Sequence, residues 1–200
     1  MKYFFLLLLL SAGCYQQTAV HTTITETDTT TSVSSTNNNH VVEPEQWDTI
    51  ACGDLNTDGI ADTAFLYTPP TVKQVDVNGT LESYFGCDTV CFNRITFSCN
   101  LPEIIFNTSV WGQIENIGDL NSDGIHELIF CPLWFHSCRG QLYVYSLKNN
   151  KWEIVAQVAA NRCEDTPLKD HIIKIKKNYF LAGEKFEDGD IVKYNMAINL

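Results

Sequence analysis

The sequence has few basic residues and no apolar run long enough to span a membrane. Lys and Arg number 13 against 24 Asp and Glu, which gives a formal net charge of −11. Nucleic acids are bound by clustered positive charge, so we expect no nucleic-acid partner. The N-terminal apolar run covers only residues 3–10, whereas a membrane-spanning helix needs about 20 apolar residues. Hydrophobic residues still make up 44% of the chain, which excludes a wholly disordered protein.

The N-terminus has the pattern of an export signal. Lys2 precedes the short apolar run, and small residues then lead to Cys14, which predicts a signal peptide over residues 1–13. The segment Ser-Ala-Gly-Cys resembles the lipobox of bacterial lipoproteins, although Ser11 stands where a large aliphatic residue is usual and Leu10 lies one place further back. The resemblance implies lipidation at Cys14 and anchoring in the bacterial cell envelope, facing the periplasm or the cell surface. An ordinary secretory signal with Cys14 incidental is the alternative.

The next segment is poor in large apolar residues. Thr, Ser, Asn and Gln dominate as far as residue 42, and such a composition buries too little surface to fold. We therefore expect a flexible tether over residues 14–42, including the lipidated cysteine, and a folded domain over residues 43–200. A domain of that length can bury enough surface to fold alone.

One string occurs twice within the folded domain. GDLNTDGI and GDLNSDGI place Asp54 and Asp119 65 residues apart, and each copy is preceded by a Trp-initiated segment. Short apolar or alternating segments flank both copies, which predicts strands on either side. A duplicated string of this length indicates a repeated structural unit.

The residues in each string have the pattern of a cation-binding loop. Oxygen-bearing side chains at positions one, three and five can face one side of a tight loop, and the following Gly permits a positive φ. Position seven adds a carbonyl and position nine a carboxylate, and hard oxygen ligands favour Ca²⁺. The predicted ligands for two Ca²⁺ ions are Asp54, Asn56, Asp58, the Ile60 carbonyl and Asp62, and then Asp119, Asn121, Asp123, the Ile125 carbonyl and Glu127.

The surroundings of the loops exclude an EF-hand. An EF-hand has a bidentate Glu at position twelve and two flanking helices, but position twelve is Phe65 in one copy and Phe130 in the other. The motif between strands resembles the calcium loop of FG-GAP and VCBS repeats, the units of integrin-α-like β-propellers. This resemblance covers residues 47–67 and 111–130 and implies the same ligands. Asp/Asn/Gly turns that bind no metal are the alternative.

The remaining segments also predict strands, so the expected class is all-β. Hairpins are predicted around residues 148–150, around residues 100–102, and between segments 179–182 and 191–199; the β-branched segment HIIKIKK also favours a strand. Closed propellers have roughly 4–8 blades, and the repeat spacing fits only about two units into this domain. We expect an incomplete or open stack of propeller-like blades, with a compact sheet pair or a ring completed by self-association as alternatives.

The eight cysteines favour an oxidising compartment. With Cys14 lipidated, seven remain, so one is left without an intramolecular partner. Cys87 with Cys91 or Cys99, and Cys131 with Cys138, are close enough in sequence to pair. A zinc site with the ligands Cys131, His136, Cys138 and His126 is an alternative, but the spacing of these residues matches no standard zinc finger.

No catalytic motif accompanies these features. Ser137 lies beside His136, but no Gly-x-Ser-x-Gly elbow exists, so we expect no enzyme. The predicted function is a membrane-anchored lipoprotein whose calcium-stabilised β-domain acts as a binding or structural envelope module, with a protein or glycan partner. The alternatives are a small secreted hydrolase, or an inhibitor or glycan-binding module that uses Trp134 and Phe135.

Overall fold

A computed structural model describes residues 40–75, 82–134, 138–161 and 166–200. These residues belong to one compact unit. The described part of the chain is all-β, with one short 3-10 helix over Leu168–His171. No helix within these ranges is long and apolar enough to cross a bilayer. The predicted signal peptide, Cys14 and almost all of the predicted tether lie outside the described residues.

Fourteen strands follow one another along the described chain. They are β1 His40–Glu43, β2 Gln46–Gly53, β3 Asp62–Thr68, β4 Thr71–Val75, β5 Glu82–Cys87, β6 Phe92–Phe97, β7 Ile104–Asn107, β8 Trp111–Gly118, β9 Glu127–Leu133, β10 Arg139–Lys148, β11 Lys151–Asn161, β12 Ile172–Ile175, β13 Asn178–Glu187 and β14 Asp190–Ala197.

The strands form four antiparallel sheets, and none of them closes on itself. We name them the first sheet (β2-β3-β6-β7), the second sheet (β8-β9-β10-β11), the third sheet (β12-β13-β14) and the small sheet (β1-β4-β5). The first, second and third sheets each pair strands that follow the same order in sequence and in space. The hairpin β4-β5 is inserted between β3 and β6, where it pairs with β1.

The sequence repeat corresponds to the first two strands of the first and second sheets. The β2–β3 register shifts between Ala51 and Gly53, and the β8–β9 register shifts at the equivalent pair, Asn116 and Gly118. Such bulges locally disrupt the ladder and bend the strand. The predicted strands on both sides of each loop are therefore confirmed, and each loop leaves its sheet at the same kind of bulge.

The three predicted hairpins are also confirmed. Strands β10 and β11 pair through the turn residues Asn149 and Asn150, both with positive φ (51° and 59°), as a two-residue type I′ turn requires. Strands β6 and β7 pair across the segment that contains Pro102. Strands β13 and β14 turn at Asp188 and Gly189; β13 is longer than expected, whereas β14 ends before the expected limit at residue 199. The segment Ile172–Ile175 is a strand, as its β-branched residues indicate.

Two groups of buried side chains hold the sheets together. The first group joins the first and second sheets through residues such as Leu66, Ile95 and Phe130, all fully buried. Across this junction the Trp152 indole N–H donates to the Pro102 carbonyl at 2.7 Å. The second group packs the second sheet against the third, with Leu181 at its centre. Burial of this kind is the main stabilising term of such a domain.

Two features differ from the sequence-based expectations. Residues 40–42, which the sequence predicts as part of the tether, belong to strand β1, because residues 40–43 pair with β4. Of the candidate disulfides, Cys87–Cys91 is present, whereas Cys131 and Cys138 are not bonded to each other. Cys131 is a fully buried thiol outside any disulfide, and Cys138 is disulfide-bonded. Three described cysteines are thiols instead of one, because Cys52 and Cys99 also lie outside disulfides.

Candidate functional site: two equivalent acidic loops

The two acidic loops have the same backbone conformation. One connects β2 to β3 and the other connects β8 to β9. Positive φ values occur at equivalent positions, at Gly53 and Gly118 (68° and 85°) and at Gly59 and Gly124 (88° and 89°). The fourth position also has positive φ in both loops, and in the first loop it is Thr57 at 55°. Because a β-branched residue seldom adopts this region, the surrounding contacts must hold the loop in place.

The aspartate at position one folds each loop around its carboxylate. In the first loop Asp54 accepts hydrogen bonds from the amides of Asp58 and Gly59 at 3.0 and 2.8 Å. In the second loop Asp119 accepts from the amides of Asp123 and Gly124 at 3.2 and 3.0 Å. In the second loop the Ser122 amide also donates to Asp119 Oδ1, at 2.6 Å. These contacts order the turn, and both oxygens of Asp54 and the Oδ2 atom of Asp119 retain a further lone pair.

The aspartate at position five caps the end of each turn. The Asp58 carboxylate accepts from the Ile60 amide at 2.8 Å, and the Asp123 carboxylate accepts from the Ile125 amide at 2.8 Å. Asp58 and Asp123 are solvent-exposed. The two loops therefore match in their first, fifth and seventh positions.

The carboxylate at position nine closes each loop from the buried side. Asp62 accepts from the Leu55 amide at 2.9 Å, and Glu127 accepts from the Leu120 amide at 2.7 Å. Both carboxylates are almost fully buried. The Leu55 side chain has no exposed surface, so it fixes the loop to the core between the sheets. The longer Glu127 side chain makes the same contact as Asp62.

Oxygen atoms converge on the amide of Asn121 in the second loop. Its Nδ2 atom lies 3.0 Å from Asp123 Oδ2, 3.1 Å from Glu127 Oε1 and 3.5 Å from Ser146 Oγ. In the first loop Asn56 Nδ2 donates to Asp58 Oδ2 at 2.9 Å. In the second loop a partly positive amide group thus lies between two acidic oxygens, whereas in the first loop the amide contacts one. Rotating the amide by half a turn exchanges this donor for an oxygen ligand.

The chemistry of these side chains fits a hard divalent cation. Carboxylate, amide and carbonyl oxygens are the ligands that Ca²⁺ takes. The residues that the structure describes contain no group of three or more His, Cys, Asp or Glu side chains that could hold a metal. A calcium ion here would therefore need the Asn56 or Asn121 amide oxygen and the Ile60 or Ile125 carbonyl in addition to the acids.

The surroundings of Glu127 raise its pKa. Removal from water raises the pKa of this carboxyl above its ordinary value, and the negative charges of Asp123 and Asp119 act in the same direction. Hydrogen bonds from the Leu120 amide and the Ser146 hydroxyl oppose the rise. A nearby cation would favour the charged form and lower this pKa.

Several residues of the site lie outside the repeated string. The Ser146 hydroxyl donates to Glu127 at 2.9 Å, and the Ser98 hydroxyl donates to Asp62 at 3.3 Å. Asn116 and His126 form a further contact beside the second loop, at 2.9 Å between Nδ2 and Nδ1. Comparison of the two copies singles out these last two, because Asn116 and His126 replace Ala51 and Ala61. Ser146 and Ser98 carry no such signal.

The other residues considered for a site are not assembled into one. Trp134 is 47% exposed, whereas Phe135, His136 and Ser137 lie outside the described residues. Cys138 is disulfide-bonded, which removes a thiolate from the proposed zinc set. His126 contacts the Asn116 amide and His171 contacts the Ala182 carbonyl at 3.3 Å, so neither of these contacts is with a carboxylate.

A cavity of about 370 Å³ lies between the second and third sheets, near the start of β10. The described part of its wall includes Arg139, Asn161, Phe186 and Ile191 and holds no described histidine. Arg139 stacks over the Phe186 ring at 4.9 Å. Among the described residues, this lining therefore contains no His and carboxylate pair of the kind used in acid–base catalysis.

No family model, no curated protein and no solved structure matches the chain. The two loops and the N-terminal sequence are therefore the features of the chain that bear on its function.

Proposed function

We propose that the protein is a lipid-anchored, extracytoplasmic module of the bacterial cell envelope whose β-domain is stabilised by calcium. The observation that carries the proposal is the convergence of Asp123, Glu127 and Ser146 oxygens on the Asn121 amide. The equivalent first loop supports it, because it duplicates the backbone conformation and the acids. The domain would act through binding or structural support, with a protein or glycan partner, and the two four-stranded sheets would be propeller-like blades.

The residues that would hold the ions are those predicted from the repeat. In the first loop they are Asp54, Asn56, Asp58, the Ile60 carbonyl and Asp62, and in the second Asp119, Asn121, Asp123, the Ile125 carbonyl and Glu127. A bound Ca²⁺ would neutralise carboxylates that otherwise repel one another. The chain's own contribution is to anchor the loops through Leu55 and Leu120 and to hold the acids with backbone amides. We assign these ions a role in stability.

Calorimetric titration and thermal unfolding test the calcium proposal. Extracellular modules commonly bind Ca²⁺ at ~10⁻⁴–10⁻³ M, so tenfold saturation adds about 1.4 kcal/mol per site. For a domain of this size that corresponds to about 3–6 °C in melting temperature per site. Magnesium should substitute poorly, because it dehydrates reluctantly and requires stricter octahedral geometry.

Paired substitutions assign the effect to each loop. Asp54→Asn with Asp58→Asn should remove the first site, and Asp119→Asn with Asp123→Asn the second. Asp48→Asn and Asp190→Asn are matched controls, because both acids are exposed on strands away from the loops. A chelator-treated protein that shows no calcium heat and an unchanged melting temperature would refute the calcium proposal.

A separate experiment tests the anchor. Expression of Cys14→Ala in a bacterium should move the protein from the detergent phase to the aqueous phase, because several acyl chains on one residue give stable membrane attachment. Cys99→Ser serves as the control for cysteine replacement and should remain in the detergent phase. Equal partitioning of Cys14→Ala and the parent would show that lipidation at Cys14 is not the anchor.

A further inference from the structure

The two acidic loops contact each other directly. The Thr57 hydroxyl of the first loop donates to the Gly124 carbonyl of the second at 2.9 Å. In the opposite direction, the His126 amide of the second loop donates to the Leu55 carbonyl of the first at 2.8 Å. Each of these four residues is next to a proposed ligand in sequence. A displacement of either loop therefore strains or breaks bonds made by the other.

Asn116 adds a third connection between the loops. Its side-chain amide donates to the Cys52 carbonyl at the end of β2 and contacts His126 in the second loop. Its oxygen accepts from the Gly118 amide at 2.7 Å, which fixes the orientation of the side chain. Alanine occupies the positions equivalent to Asn116 and His126 in the first copy. The bridge is thus a property of the junction between the sheets and not of the repeated string.

Backbone conformation makes the loop–loop contacts sensitive to loop order. Thr57 and Gly124 both have positive φ, at 55° and 89°, and their contact depends on both conformations at once. The Asp54 carboxylate holds the residues just after Thr57, and the Asp119 carboxylate holds the Gly124 amide. Ordering of the carboxylate in one loop therefore also positions the residue of that loop that hydrogen-bonds to the other loop.

We infer that the two loops order as one unit, with Thr57, Asn116 and His126 as positioning residues, so that a divalent cation held in one loop raises the affinity of the other. The cation part of this inference rests on the proposed function, whereas the coupling between the loops does not. Coupling free energy between two sites is reciprocal. Substitutions that disable one loop should therefore also lower the calcium affinity of the other, intact loop.

Calcium titration of a double-mutant cycle measures the coupling. Asp54→Asn with Asp58→Asn should weaken binding at the second loop by about fivefold or more, the lower end of common allosteric coupling. Thr57→Val removes the hydroxyl while keeping the β-branched shape. Alone, it should weaken calcium binding at the second loop by a similar factor, and combined with Asp54→Asn and Asp58→Asn it should cause little further weakening. Thr57→Ser keeps the hydroxyl and should behave as the parent. Asn116→Ala, which restores the residue of the first copy, should weaken the coupling in the same way as Thr57→Val.

Amide hydrogen exchange of the calcium-free protein provides a readout that needs no metal. Asp54→Asn should accelerate exchange at Gly124 and Ile125 in the intact second loop, and Asp48→Asn should not.

If calcium binds with equal affinity in the parent, in Thr57→Val and in the variants without the first site, the inference is wrong and the calcium proposal stands. If no calcium binds, the calcium proposal fails, and unchanged exchange at Gly124 and Ile125 in Asp54→Asn would overturn the coupling as well.

Discussion

Cys99 lies just after β6 at the position that corresponds to Ser146 in β10. Ala64 pairs with Phe97 and Ile129 pairs with Val144, and Cys99 and Ser146 each lie two residues beyond these β6 and β10 partners. The Asp62 carboxylate acts on the Cys99 thiol and raises its pKa, and the Ser146 hydroxyl donates to Glu127 at 2.9 Å. A polar side chain on or just after the third strand of each four-stranded sheet thus interacts with the buried carboxylate of its loop.

The Cys99 thiol is predicted to react slowly with alkylating reagents. Burial raises its pKa to about 12, and the contact with Asp62 acts in the same direction. Because the thiolate is the reactive form, labelling by iodoacetamide in the native protein at pH 8 should be slower than that of a free thiol of pKa ~8.5. Mass spectrometry of the native and urea-unfolded protein provides the measurement, and Cys99→Ser provides the blank. Native labelling at the unfolded rate would contradict the prediction.

Replacing Glu127 by Gln should change the pH dependence of stability in calcium-free buffer. The folded pKa of Glu127 is raised above its ordinary value, so its contribution is fully present below the unfolded pKa of about 4.5 and is lost as the pH rises through the folded pKa. The parent should therefore lose stability relative to Glu127→Gln over this window, by at most about 1.4 kcal/mol per pH unit. Urea unfolding from pH 4 to pH 8 measures the difference. A constant difference would count against the raised pKa.

Gly183→Ala should weaken the contact between the second and third sheets. A Cβ atom at this position would lie 2.5 Å from Val158 Cβ and 2.9 Å from the Ala159 carbonyl oxygen, so β13 would have to move away from β11. Overpacking of this kind costs roughly 1–3 kcal/mol, and chemical denaturation measures it. Lys185→Ala on the exposed part of the same strand is the control and should be nearly neutral. An unchanged midpoint for Gly183→Ala would contradict the close packing.

Asn150→Gly should stabilise the hairpin between β10 and β11. Asn150 has φ of 59° in the two-residue turn, and Asn-Gly is the preferred pair for a type I′ turn. Because Gly adopts the left-handed conformation without strain, Asn150→Gly should raise the free energy of unfolding by roughly 0.5 kcal/mol, whereas Asn149→Ala should lower it by about 1 kcal/mol. Thermal unfolding of both variants checks the signs. Destabilisation by Asn150→Gly would indicate that the Asn150 side chain has a role of its own.

Local sequence patterns were sufficient to predict the all-β class, the hairpins and the loop positions. The Asn149-Asn150 turn and the repeated Asp and Gly residues act within a few residues of one another, and their geometry is as expected. Pairing of β1 with β4 was not predicted, because it depends on register between strands far apart in sequence.

The partners of the buried carboxylates could not be predicted for the same reason. Cys99 reaches Asp62 only because β6 pairs with β3 in one register, and Ser146 reaches Glu127 only because β10 pairs with β9. Sequence separation also could not decide among the candidate disulfides: Cys131 is close to Cys138 in sequence, but the Cys131 side chain is buried in the core and lies outside any disulfide. Alternation of apolar and polar residues predicts which side chains share one face of a strand, but it does not predict which residues of other elements lie opposite them.

The burial of Cys52 and Cys131 has a consequence for the order of events during maturation. These thiols are 3% and 0% exposed in the finished domain, so oxidants reach them only before the sheets have packed. In an oxidising compartment, nascent chains with all cysteines accessible can form many wrong pairs. If the protein matures in the oxidising compartment proposed for it, the first and second sheets must assemble faster than these two sulfurs are oxidised, and the rate of sheet packing would then determine the yield.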